Sequence, residues 1–232
     1  MKRVLFVVSF CILAAPTLLA DQINIDRVSG YYTGNGGEFT IRPIGWSPAW
    51  NAYVEDVTKN VSTTTDTFQT FCVETQEYVS LPHTYEVTIT DRAMYGQAGT
   101  GGDPLSVGAA WLYFEFAKGT LSGYNYDSDR ATSAGQLQAV IWWLEDEAGN
   151  PGSSNPFYTA VINKFGSEAN AQANNFSGGV RQYPVMVMNL WGSAEPHQDQ
   201  LVVVPEPGTL MLVGLGIGLV GFASAIRRRR QM

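Results

Sequence analysis

Alternation of apolar and polar positions marks the first third of the chain, and helical spacing marks much of the remainder. Stretches 22–28, 38–44, 51–57, 65–73 and 84–90 are rich in Thr, Val, Tyr and Phe, which predicts strands. Gly34-Asn-Gly-Gly37, Pro43 and Pro48 supply the turns between them, and 96–102 reads as a glycine-rich loop. From 104 to 118 the pattern is helical, ending on Lys118-Gly119, a basic last turn followed by a glycine cap. The best helix runs over 129–147, with Leu137, Val140, Ile141 and Leu144 at i, i+3, i+4 and i+7. Asn155-Pro156 opens another as N-cap and first residue, with Phe157, Val161 and Phe165 on one side. A strand returns at 183–190, and 195–204 reads as a linker, polar over 195–200. The fold class is therefore α+β: a β-rich N-terminal part, sandwich or barrel-like, with a helical subdomain, over residues 21–194.

Both ends depart from this pattern. Lys2-Arg3, an apolar run through Leu13 and a small-residue exit at Ala20 describe a secretory signal peptide over 1–20. The run is shorter than the ~20 residues a membrane span needs. At the other end, 209–226 is an uncharged stretch of 18 residues followed by Arg227, Arg228, Arg229 and Arg230. That predicts a C-terminal transmembrane helix whose arginines stay cytoplasmic, with the body exported across the inner membrane.

Charge changes once these ends are set aside. The whole chain has 14 basic and 21 acidic residues; 21–204 keeps 8 basic and 20 acidic. A body that acidic argues against nucleic acid as a partner. Cysteine is as unevenly placed: Cys11 leaves with the signal peptide, so Cys72 is alone and no disulfide forms within the body.

Val204-Pro-Glu-Pro-Gly-Thr209, an apolar helix and a terminal arginine cluster closely resemble the PEP-CTERM sorting signal of Gram-negative bacteria. The resemblance covers 205–232. It implies processing near Pro205, Glu206 and Pro207 by an exosortase, and a membrane-anchored precursor released or transferred to the cell surface or extracellular matrix. It also implies a role in exopolysaccharide and biofilm production.

Cys72 lies in Thr70-Phe-Cys-Val-Glu74, where alternation sets it on the face opposite Phe71 and Val73. Gln138 lies at the edge of the apolar stripe of the best helix, with Ile141 and Trp142 at i+3 and i+4. If that helix covers the Cys72 face, thiol and carboxamide touch. Phe71-Cys72-Val73 and Gln138-Ala-Val-Ile-Trp142 resemble the two motifs of bacterial thioester domains, found mostly in surface adhesins. The resemblance implies an internal Cys72–Gln138 thioester, shielded by Phe71, Trp142 and Trp143, that attaches covalently to an amine or hydroxyl of a surface or matrix partner. The alternative is a non-covalent binding or structural matrix protein with an inert Cys72 packed as a small hydrophobe.

Other chemistry is weaker. The chain is not expected to be an enzyme or to carry a cofactor or metal. There is no Gly-x-Ser-x-Gly elbow and no His/Cys cluster, and His83 reads as structural. Asp127-Ser-Asp129 begins like a calcium loop, but Thr132 and Gln138 occupy the positions of the glycine and bidentate glutamate. Glu145-Asp-Glu147 reads as a solvated face.

Overall fold

Ile23 and Ile25 alternate inward along β1 (Gln22–Asp26), and Phe39 and Ile41 do the same along β4 (Phe39–Ile44). Two short strands, β2 (Tyr32–Thr33) and β3 (Gly36–Gly37), form a hairpin between them. The computed structural model describes residues 21–95, 99–193 and 195–205. The signal peptide, Glu206, Pro207, the span 209–226 and the four terminal arginines lie outside these residues. Among the described residues, no helix is long and apolar enough to cross a membrane.

The main sheet is completed by β5 (Phe68–Thr70), β6 (His83–Thr90), β11 (Val185–Gly192) and β12 (Glu195–Val203). Its six strands run β12-β11-β6-β1-β4-β5, each antiparallel to its neighbours. The sheet curls until its two ends meet. Beyond β5 the chain bonds to β12: Val73 N–H donates to Asp199 O at 3.1 Å, and Leu201 N–H donates to Phe71 O at 3.1 Å. Cys72 pairs with Gln200 at the centre of this seam. Closure leaves fewer unpaired strand edges and fixes the cysteine's backbone on both sides.

Helix α2 (Val107–Ala117) starts at Ser106, whose side chain accepts from Ala109 N–H, and gives way to Gly119 at φ +74°. Helix α3 (Arg130–Leu144) buries Leu137, Val140, Ile141 and Leu144, as its spacing predicts. Full burial of each such side chain contributes about 1.5–3 kcal/mol. Helix α4 (Pro156–Phe165) is capped by the Asn155 carboxamide, which accepts from Phe157 and Tyr158 N–H. A short α5 (Glu168–Ala171) comes next, then a small hairpin of β9 (Phe176–Ser177) and β10 (Val180–Arg181).

Three elements differ from the sequence pattern. Residues predicted as a strand at 51–57 lie in helix α1 (Pro48–Thr58). Pro48 is its first residue rather than a turn, and the Ser47 side chain caps Trp50 N–H. The glycine-rich loop is partly a hairpin of β7 (Arg92–Tyr95) and β8 (Gly99–Pro104). The predicted linker is β12, whose Gln198, Asp199, Gln200 and Leu201 are buried. Its polar residues face buried polar partners instead of water, which hydropathy alone does not reveal.

Candidate functional site

The α3 helix lies against the closing seam, so that Gln138 reaches Cys72 across 66 residues of sequence. Gln138 Nε2–H donates to the Cys72 backbone carbonyl at 2.7 Å, and Cys72 Sγ–H donates to Gln138 Oε1 at 3.3 Å. Both residues are 0% exposed, so Gln138 lies inside the core rather than at the stripe's edge. The carboxamide is thus held by two bonds with its carbon beside the sulfur. Gln200, opposite Cys72 across the seam, is also fully buried, with no partner for its Oε1.

Burial pushes the Cys72 thiol up to about 12. The Trp142 indole N–H and the Arg27 charge act in the opposite direction, while Glu74 adds to the rise. Trp142 Nε1–H has no partner in hydrogen-bond geometry, so its influence on the sulfur comes from proximity rather than a formed bond. The result is an uncharged thiol in a site shielded from water, which limits oxidation and alkylation.

The three aromatic residues expected to shield the pair divide. Trp142 lies beside it, its indole N–H near the sulfur. The Phe71 ring packs on Phe116, centroids 4.9 Å apart, and Trp143 turns to Tyr158 and donates Nε1–H to Glu168 at 3.0 Å. A further cover is the β2–β3 hairpin. A Cβ on Gly36 would come within 2.9 Å of Gln138 Cγ and 3.1 Å of Trp142, so only glycine permits this approach. Thr33 Oγ1 donates to Ala131 O on α3, while Arg27 donates to the carbonyls of Gly34 and Asn35. Beside the hairpin is a recess of about 440 Å³ lined in part by Arg27, Asn35, Thr75 and Trp142.

Of the three acids that read as a solvated face, Asp146 is exposed, whereas Glu145 and Glu147 are structural. Glu147 accepts from Thr75 N–H at 3.0 Å and from its hydroxyl at 2.9 Å, fastening the end of α3 to the segment that carries Cys72. Buried Glu145 accepts from Ser106 Oγ–H at 2.6 Å and Ser106 N–H at 3.2 Å. Desolvation pushes Glu145 up to about 8 against those two bonds, with Asp103 and Glu147 adding to the rise. An unfolded glutamate titrates near ~4.3. The folded state therefore holds a proton that the unfolded state loses, and stability falls as pH rises from about 4.3 to about 8. Glu145→Gln is expected to flatten that decline in urea-unfolding midpoints measured at pH 5 and pH 8; an unchanged slope would count against it.

His83 is exposed at the start of β6, its ring 4.6 Å from Tyr85. His197 packs against the same tyrosine with its ring tilted by 51°. Neither is near the pair by any observed bond. Asp129 is the N-cap residue of α3.

Together these features define an α+β body whose last strand runs directly into a C-terminal sorting segment. Residues 203–230 match the PEP-CTERM protein-sorting motif, beginning where β12 ends at Val203. The motif implies a secreted, exosortase-processed protein bound for the cell surface or extracellular space, and Pro205, Glu206 and Pro207 lie within the match. No curated protein and no solved structure matches the chain.

Proposed function

We propose that this exported protein forms an internal thioester between Cys72 and Gln138 and uses it to bond covalently to a surface or matrix partner. The observation carrying this reading is the contact of Sγ with Oε1 at 3.3 Å inside a fully buried, hairpin-covered pair. The Cys72 sulfur attacks the Gln138 carboxamide carbon, the C–N bond breaks, and the thiol proton leaves with ammonia. The product is an acyl thioester. A partner amine or hydroxyl then attacks the same carbon, the C–S bond breaks, and Cys72 regains a proton as a free thiol. One bond is made per molecule, without turnover, so the protein acts as an adhesin and not as an enzyme.

Arg27 and the Trp142 N–H partly offset the burial that keeps Cys72 protonated, which eases formation of the attacking and departing thiolate. The recess bounded by Arg27, Thr75 and Trp142 is the approach for the nucleophile once the hairpin moves. Before processing, the 209–226 segment holds the precursor in the inner membrane; afterwards the body acts at the surface or in an exopolysaccharide matrix.

A fluorescent primary amine tests this reading. Labelling of the wild type at Gln138, absent in Cys72→Ala and in Gln138→Ala, is the expected result. Equal labelling of wild type and Cys72→Ala would point to unspecific reaction and would sink the thioester.

A further inference from the structure

Just past the cysteine, three carboxylates converge where the loop after β5 meets β12. One oxygen each from Glu74, Glu77 and Asp199 lies within 4.8 Å of the others. Glu74 is 3% exposed and Asp199 1% exposed. Asp199 has partners: Oδ2 accepts from Met94 N–H at 2.9 Å and Oδ1 from Leu190 N–H at 3.3 Å. Glu74 has none. Both of its carboxylate oxygens are buried without a donor, as is Glu77 Oε2.

A carboxylate buried to this degree, facing other acids and reached by no donor, opposes folding in its charged form unless something compensates it. No basic residue forms an ion pair with the three acids among the described residues. Three converging carboxylates, one of them buried without a donor, leave the site short of positive charge.

We infer that Glu74, Glu77 and Asp199 form a binding site for a divalent cation of the hard, oxygen-preferring class, calcium in particular. The donor set contains only oxygen, which excludes the softer metals that favour sulfur or imidazole. Calcium–oxygen distances of 2.3–2.6 Å place opposite ligands roughly 4.6–5.2 Å apart, a span compatible with the observed convergence. Magnesium needs a tighter octahedron at about 2.0–2.1 Å, with most ligands supplied by water, and fits a largely buried carboxylate trio less well. Positions 74, 77 and 199 join the two chain ends of the curled sheet, so the ion would hold the seam closed next to Cys72. The site does not depend on whether the thioester forms.

Calorimetry and thermal melting test the site on full-length protein in detergent, stripped with EDTA and then titrated with calcium chloride. One calcium is expected per chain, with a Kd on the order of 10⁻⁴–10⁻³ M, as is usual for extracellular modules. At 5 mM calcium the melting temperature should rise by about 2–8 °C. Glu74→Gln keeps the side-chain shape and breaks no hydrogen bond, so it should fold, lose the binding heat and melt at one temperature with or without calcium. Three results would each overturn the assignment: no heat and no shift in wild type, an undiminished response in Glu74→Gln, or equal binding of magnesium.

Discussion

Arg130→Met is expected to lower unfolding free energy by about 3–5 kcal/mol, the usual cost of leaving one member of a buried ion pair alone. Arg130 grips Glu38 through two bonds, Nε to Oε1 at 2.7 Å and Nη2 to Oε2 at 2.8 Å. The pair is almost dry, with side chains 6% and 0% exposed. Tyr124 OH donates to the same carboxylate at 2.6 Å, and Arg130 also donates to the Val61 carbonyl at 2.8 Å. Removing the guanidinium therefore leaves the buried carboxylate with the Tyr124 hydroxyl in place of three donors, and strands the Val61 carbonyl. Its position makes the effect matter for the site, because Arg130 is the first residue of α3 and Glu38 directly succeeds the hairpin. Glu38→Leu combined with Arg130→Met should recover part of the loss, though not the Tyr124 and Val61 bonds. Denaturant unfolding of the three variants reads this directly; a loss below ~1 kcal/mol for the single variant would show the pair contributes little.

Gly36→Ala should have the second large effect, read most directly in reactivity. The added methyl would sit 2.9 Å from Gln138 Cγ, and Gln138 cannot yield easily because both ends of its carboxamide are bonded to Cys72. The hairpin must move instead. Overpacking of this kind costs about 1–3 kcal/mol, which raises the open population roughly 5- to 150-fold. If the hairpin guards the thioester, methylamine should consume it faster by a similar factor. A rate equal to wild type would remove the hairpin from any gating role.

Much of the body is legible in its sequence, for reasons that particular elements make clear. Helices α2, α3 and α4 carry periodic apolar residues, and local caps at Ser106, Asn155 and Gly119 agree with that pattern. Strands β1, β4 and β6 alternate cleanly because one face meets the core. The 51–57 segment misleads because Tyr53, Val54 and Val57 suit a strand as well as a helix face, and Pro48 suits a turn as well as a helix start. β12 misleads for the opposite reason. Its buried Gln198, Asp199 and Gln200 look solvent-facing in composition, and Gln198 and Asp199 find distant partners in Glu74 O and Met94 N–H.

The candidate pair is visible as two short motifs, and the structure sets Cys72 and Gln138 in contact. Its surroundings are hidden. Gly36 is legible only as a turn residue, and nothing local links Arg27 or Glu147 to the cysteine. Each acts through a contact made by the curled sheet, and such contacts leave no fixed spacing in sequence. Exosortase sorting is legible for the converse reason, since the PEP-CTERM motif is a continuous segment.

Intact mass of the exported protein tests the central claim most directly. Closing the Cys72–Gln138 bond expels ammonia, so wild type should be lighter than its sequence by about 17 Da, and the deficit should vanish in Cys72→Ala and Gln138→Ala. Methylamine should convert the light form to one carrying an N-methyl group at Gln138 and a free Cys72 thiol. A full-mass wild type whose unreacted Cys72 is alkylated after unfolding would contradict the account and leave an inert cysteine in the core.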